Sequence, residues 1–379
     1  MGERQCAVEG LVSAMNKVVE RDLARIYNDL SELDRSRLKD STILFTGGAG
    51  SLGFYYIQFL VRYQKELGVK KIICLDNFQN GCPGWIEALA SNGSIEFHKF
   101  DIVQDDLSAI PSASQADYVC HMASIASPIF YRKHPIETLD ADIGGLRRLL
   151  EFYKDKPIKG LAFYSSSEIY GDPPAEQIPT PETYWGNVDC QGPRACYDES
   201  KRLGETLCYL FNRQYQMPTV VIRPFNTYGP GMKLNDARVP ADFANDIRNH
   251  RDITILSDGK PTRTYCYISD AISGYLKCLL HAQDGFETFN IGIDKPEITV
   301  RQLADIYAEA GKEIFGYAGQ VRYDVSDDKD YLTNNPNRRC PVIDKARRML
   351  GYDPKITVDI GVRYFLEYIK ESTEEELVW

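Results

Sequence analysis

Residues 46–53 read Thr-Gly-Gly-Ala-Gly-Ser-Leu-Gly, and their flanks restrict what the chain can fold into. The run before them, 42–46, is short and apolar, and the run after them, 55–63, has helical character. A strand, a glycine-rich turn and a helix in that order return the chain alongside its own strand. Gly47, Gly50 and Gly53 stand at G-x-x-G-x-x-G spacing, with Ser51 and Leu52 opening the helix. Glycines there let the backbone turn sharply and approach a pyrophosphate, whose charge then rests on the helix N-terminus. The glycine triplet is weak alone, and its strand–turn–helix setting makes it informative.

The pattern continues. Residues 71–75 form a second apolar run that ends in Asp76, and 96–100, 118–121 and 160–164 read as further short strands between helical stretches such as 143–153. Alternating β and α elements imply an α/β fold of the Rossmann type, a doubly wound parallel sheet covered on both faces. Asp76 is placed to accept hydrogen bonds from an adenosine ribose 2′-hydroxyl, and its charge would repel a 2′-phosphate, which favours NAD over NADP. Asp101, after the third strand, is placed for the adenine edge. Residues 219–223 read as a later strand, and 300–309 and 344–350 as helices. Ahead of all this, Leu11, Met15, Val18, Val19, Ile26, Leu30 and Leu33 recur at helical spacing, so residues 1–40 read as a helical extension docking on the body or on a second subunit.

Bulk properties narrow the class. The 379 residues suffice for two lobes or one large α/β domain, and 43% hydrophobic with 26% charged residues is the composition of a soluble globular chain. A net charge of −10 with no basic block weighs against nucleic acid or an anionic membrane as partner. No run is long enough to span a bilayer, and the N-terminus lacks a signal-peptide core. The ten cysteines show no C-x-x-C and no Cys/His metal spacing. Reduced thiols in a cytoplasmic enzyme without a metal are the expectation.

Chemistry-bearing residues follow the strand at 160–164. Ser165, Ser166, Ser167 and Glu168 come just past its C-terminal end, where parallel sheets bind ligands. Further on, Tyr197 and Lys201 are four apart and share one helix face. A neighbouring ammonium favours a phenolate, so Tyr197 is a candidate base with Lys201 lowering its pKa. A serine hydroxyl could bridge the substrate hydroxyl and the tyrosine.

With these residues in view, the chain resembles the extended short-chain dehydrogenases/reductases that act on nucleotide sugars (the NDP-sugar epimerase/dehydratase superfamily). Within them it is most similar to the UDP-glucuronate decarboxylase (UDP-xylose synthase) branch. The likeness covers residues 42–370. It rests on Ser-Ser-Glu-Ile-Tyr-Gly-Asp-Pro at 166–173 and on the run 184–202, Tyr-Trp-Gly-Asn-Val-Asp-Cys-Gln-Gly-Pro-Arg-Ala-Cys-Tyr-Asp-Glu-Ser-Lys-Arg. Further support comes from 121–131 with Tyr131, 223–230, Pro-Thr-Arg at 261–263 and Asn-Pro-Asn-Arg-Arg-Cys-Pro at 335–341. The resemblance implies Tyr197 as base for the sugar 4-hydroxyl, Lys201 holding the nicotinamide ribose, and Ser166 and Ser167 positioning the 4-oxygen. Glu168 and Arg339 would flank the C5 carboxylate, and Asn226 and Arg263 would hold the sugar diphosphate. It also implies substrate contacts from Tyr131, Arg194 and Tyr331, and cofactor contacts from Asn77, Ile102 and Ala123.

The chemistry so implied is oxidation at C4 by NAD, loss of CO2 from the resulting β-keto acid, and re-reduction. The alternative is another 4-keto reaction on a nucleotide sugar: 4-epimerisation, 4,6-dehydration or release of a 4-keto product. A dehydratase would carry Asp-Glu where this chain has Ser167-Glu168. The chain departs from the decarboxylase pattern at Gly231, where arginine is usual, at Gln79-Asn80-Gly81-Cys82-Pro83-Gly84, where a basic stretch is usual, at Val342 and at Ser51. The expected organisation is residues 41–226 with 266–293 as the NAD-binding domain, and 227–265 with 294–379 as a smaller nucleotide-sugar lobe. The resemblance also implies a homodimer about the helix of Tyr197.

Overall fold

The computed structural model describes residues 15–79 and 81–378. Leu11 and Asn80 lie outside them. A seven-stranded sheet organises the chain: β1 (Thr42–Thr46), β2 (Lys71–Asp76), β3 (Glu96–Lys99), β4 (Tyr118–His121), β5 (Gly160–Tyr164), β6 (Thr219–Pro224) and β7 (Glu287–Ile291). Their spatial order is β7-β6-β5-β4-β1-β2-β3 and every pairing is parallel. The order reverses between β1 and β4, which pair in register from Ile43 with Tyr118 to Thr46 with His121. Loops leaving these two strands therefore diverge and open a crevice at their C-terminal ends.

Alternation within each strand decides which face each side chain serves. Ile43, Phe45, Cys74 and Cys120 enter one core, with helices α1 (Lys17–Asp29), α2 (Ser51–Arg62) and α5 (Ile268–His281). Leu44, Ile73, Val119 and Phe163 enter the other, with α3 (Leu146–Tyr153) and α4 (Ala195–Tyr215). Both faces of the central strands are covered, so β1, β4 and β5 are buried along their whole length, whereas edge strand β3, Glu-Phe-His-Lys, is only partly covered.

Element boundaries differ from the expectations in instructive places. Helix α2 begins at Ser51, not at residue 55, because the glycine turn itself forms its first turn. Regular α3 begins at Leu146, not 143, because Asp140–Gly145 is a π-helical turn. Helix α6 (Val300–Phe315) outruns residue 309. It opens on a Thr299/Gln302 capping box and stops only at Gly316, whose φ of 66° is left-handed.

The N-terminal extension docks on the body. Val18, Val19, Leu23, Ile26 and Leu30 of α1 are buried, whereas Leu33 is exposed. Asp22, fully buried, accepts hydrogen bonds from Tyr55 Oη (2.9 Å) and Tyr267 Oη (2.6 Å). Three small sheets lie beyond the large one. They pair Thr227–Tyr228 with Cys266–Tyr267, Ile253–Ile255 with Val321–Tyr323, and join Ile298–Thr299, Thr262–Arg263 and Arg338–Arg339. Among the described residues no helix is long and apolar enough to cross a membrane.

Candidate active site

The crevice has a volume of about 1190 Å3. At one end lie Gly47, Gly50, Ser51 and Leu52. Gly47 has φ +68°, and a Cβ on it would sit 2.6 Å from the backbone of Ala123, so the turns after β1 and β4 touch. Gly53 stands behind the turn and not on the crevice wall. A Cβ there would lie 2.0 Å from Gly48 O, so its role is to let α2 start tight against the turn. Gly50 caps α2 without a side-chain bond, which leaves first-turn N–H groups to face the crevice.

Asp76, Asn77, Asp101, Ile102 and Ala123 line the same end. Asp76 Oδ2 accepts from Ala49 N (2.9 Å) and Oδ1 from Phe78 N (2.8 Å). Burial pushes its carboxyl above the ordinary value, against the pull of these N–H groups and of Lys233. Each oxygen keeps a lone pair for a ribose hydroxyl. Asn77 Nδ2 donates to Asp101 Oδ2 at 3.3 Å. Ser124, also on the wall, has a buried Oγ with no hydrogen-bond partner in the protein. A glycine cradle, an uncapped helix N-terminus and an unmatched hydroxyl fit a dinucleotide.

At the other end, α4 brings Arg194, Tyr197, Asp198 and Lys201 onto neighbouring turns. The Tyr197 ring stacks on that of Tyr131, centroids 5.0 Å apart and planes 9° from parallel. The Ser166 hydroxyl accepts from Glu168 N (3.1 Å) and lies beside Tyr197, where it favours the phenolate. Lys201 Nζ is 5.4 Å from the phenol ring centroid and 3.0 Å from Asp142 Oδ1. The expected lowering of the tyrosine pKa is not found. Its hydroxyl is held well above the ordinary phenol value, by burial first and then by the Asp142 charge. The ammonium has a carboxylate of its own, so it cannot act on the phenol as a bare cation would.

Beside the tyrosine is a cluster of arginines. Glu168 accepts from Arg194 Nη2 and, at 3.0 Å, from Arg339 Nη2. Burial pushes Glu168 up, but Arg194, Arg339 and Arg263 outweigh it, and its carboxyl stays below the ordinary range. Arg339 lies behind Glu168, off the crevice wall, and also donates to Gly171 O (3.2 Å). Arg194 Nε and Arg339 Nη1 are buried with no hydrogen-bond partner. Arg263 donates only to neutral oxygens: Thr262 O (2.8 Å), Pro336 O (2.6 Å), Asn337 O (3.2 Å) and Asn335 Oδ1 (3.3 Å). Burial, and then Arg339, push its pKa down to about 10. Asp198 is pushed up by burial and by Glu168.

Asn226, Tyr331, Ser166 and Ser167 complete the wall, and Asn226 Nδ2 donates to Thr264 O (3.0 Å). Asp142, Asp198 and Lys233 were not singled out by sequence. Asp198 sits inside the 184–202 run and could have been flagged there. Asp142 carried no signal at all.

Residues 43–292 match the model of the NAD dependent epimerase/dehydratase family. The chain is 34% identical over 347 residues to UDP-glucuronic acid decarboxylase 1 of Xenopus tropicalis, covering 92% of this chain and 75% of the relative. With UDP-glucuronic acid decarboxylase 5 of Arabidopsis thaliana it shares 32% identity over 84% of this chain and 86% of the relative. Among solved structures, UDP-glucose 4-epimerase of Thermotoga maritima superposes with a TM-score of 0.73 at 27% identity, over 86% of this chain and 98% of that one. The switch-point crevice, its glycine cradle and the Tyr197–Lys201 helix are thus those of an enzyme, and the chain belongs to the NAD dependent epimerase/dehydratase family.

Proposed function

We propose that the protein decarboxylates UDP-glucuronate to UDP-xylose. One observation carries the reading. Three arginines, Arg194, Arg263 and Arg339, converge beside Tyr197 on a single ionised glutamate, and two of them keep buried N–H groups without a partner. A neutral hexose would leave the Arg194 donor on the crevice wall unmatched, which is costly in a buried site, whereas a carboxylate on the sugar answers it. The decarboxylase relatives, at 32–34% identity, support the same choice.

NAD, when bound, supplies the acceptor and later the donor of hydride at the sugar C4. The chain's own groups do the rest. Tyr197 takes the 4-hydroxyl proton, and Ser166 fixes the phenol that receives it. Arg194, with Arg339 behind Glu168, holds the carboxylate next to C5. In the 4-keto sugar the C5–C6 bond breaks, CO2 leaves, and its electron pair becomes an enolate whose 4-oxygen is held by Tyr197 and a serine. A proton then adds to C5. Asn226 and Arg263 hold the diphosphate in this reading. The chain divides into an NAD-binding part (41–226 with 266–293) and a nucleotide-sugar lobe (227–265 with 294–379).

NMR of a mixture of purified protein, NAD and UDP-glucuronate tests the reading. Loss of the C6 carboxylate and appearance of UDP-xylose is expected. A product that keeps C6 but has inverted C4 would replace it with a 4-epimerase, and unchanged substrate would remove it.

A further inference from the structure

Asp142 is fully buried, on the π-helical turn Asp140–Gly145, 59 residues before the lysine it pairs with. Such turns widen a helix by one residue and recur at functional sites. Here the turn aims both carboxylate oxygens at α4. Oδ1 meets Lys201 Nζ at 3.0 Å, and Oδ2 accepts from Ser200 Oγ at 2.7 Å. The Ser200 hydroxyl also lies 2.9 Å from Tyr197 O, so the same contact reaches the backbone of the candidate base. Lys201 and Ser200 are buried too. Nothing about holding α4 against the body requires a charge at this point, since Leu146, Leu149, Cys208 and Phe211 already join α3 and α4 in one apolar core.

We infer that Asp142 is a positioning residue of this site, holding the Lys201 ammonium in place and setting the charge that Tyr197 meets when it takes a proton from the substrate. The inference rests on Tyr197 being the base in the proposed reaction. Other charged and titratable groups face the pair from every side. Asp198 lies on α4 itself and Arg194 at its N-cap, Glu168 with Arg263 and Arg339 beyond β5, Tyr131 on the phenol ring, His121 at the end of β4, and Arg238 near Tyr197. Glu168 already has arginine partners, and Asp198 lies within 3.8 Å of Arg194. Asp142 differs because its cation is Lys201 itself, so removing its charge both unmasks the ammonium and removes a nearby anion. Both changes favour phenolate. The hydroxyl then gives up its proton at lower pH, so the acid limb of the rate profile must move down.

The test is the pH dependence of the hydride step, followed by NADH absorbance with the nucleotide sugar that the NMR experiment shows to be turned over. In Asp142→Asn the acid limb is expected about one pH unit below that of the unmodified enzyme, a tenfold change in rate on the limb. Asp142→Glu, which restores the charge, and Ser200→Ala, which removes only the hydroxyl contact, are expected to keep the limb in place. If all three variants lower Tm and the plateau rate while the limb stays fixed, Asp142 is merely structural and the inference fails. Should Asp142→Asn not fold, Asp142→Thr removes the same charge and is read the same way. Tyr197→Phe separates the two levels. Full activity in it would remove the base assignment itself, whereas an inactive Tyr197→Phe with an unmoved Asp142→Asn limb would remove only the role of Asp142.

Discussion

Arg263→Gln should stabilise or leave unchanged the free protein while weakening substrate binding strongly. Arg263 is largely buried, bonds only to neutral oxygens and faces Arg339. A drop from 12.5 to about 10 corresponds to roughly 3 kcal/mol spent in keeping the guanidinium charged in the free enzyme. Glutamine removes that cost and keeps an amide donor for one of the carbonyls. The hydrogen bonds lost with the guanidinium are worth about 1 kcal/mol each, so the net change in stability is near zero or slightly favourable. Binding behaves oppositely. An anion that neutralises a buried arginine loses about 2–5 kcal/mol when the arginine goes, or about 30-fold to several thousand-fold in affinity.

Thermal unfolding of the free protein and calorimetric titration with UDP-glucuronate and with UDP-glucose read the two effects separately. Equal losses for both ligands place Arg263 on the diphosphate, the site assigned to it above. A Tm lowered by many degrees with affinity unchanged would refute the reasoning, since Arg263 would then be a strut for the 335–337 loop and not an unanswered charge.

Two further outcomes follow from other parts of the molecule. Asp22 has its pKa raised to about 6 by burial, against the pull of Tyr267, Tyr55, Arg21 and Arg25, so the folded state binds its proton more tightly than the unfolded chain. Its contribution therefore falls as pH rises from about 4 through 6, by on the order of 3 kcal/mol. The Tm of Asp22→Asn relative to the unmodified protein should be more favourable at pH 8 than at pH 5, and a pH-independent difference would contradict this. We also propose a homodimer about α4, whose outer face exposes Leu203 (44%) and Leu210 (50%) seven residues apart. Leu210→Lys should shift sedimentation towards monomer, and an unmodified protein that already sediments as a monomer would end the proposal.

Much of the fold was legible because fully buried parallel strands are bare apolar runs. Residues 42–46, 118–121 and 160–164 were delimited correctly from sequence for that reason. The start of α2 was less sharp, because the apolar helical pattern sets in at residue 55 whereas the helix opens at Ser51, behind Gly50. Leu33 fitted the N-terminal stripe but falls on the next helix, Glu32–Leu38, facing solvent. The chemistry divides along the same line. Tyr197, Lys201 and Glu168 could be read because their spacing is local. Asp142 could not, since its meaning lies wholly in a partner on another helix, and the lowered phenol pKa expected from Tyr197 and Lys201 alone was reversed by burial first and by Asp142 second.

Gly231 shows how a departure in sequence can be read only in three dimensions. As a missing arginine it implies a loss of positive charge near the nucleotide. In the structure Gly231 has φ +84°, and a Cβ on it would stand 2.8 Å from Phe54 Cδ1 and 3.2 Å from Ser51 O. Phe54 is itself held edge-on between Tyr55 and Trp85, so it has little freedom to retreat. A side chain at 231 would have to displace that aromatic group and adopt a backbone conformation that only glycine takes readily. With glycine there, the loop lies directly on the first turn of α2. Two residues later Lys233 lines the crevice, half-buried, with its charge acting on Asp76. The Asp76 end of the crevice therefore keeps a cation on the same loop, two residues past the glycine whose close packing on the first turn of α2 leaves no room for a side chain.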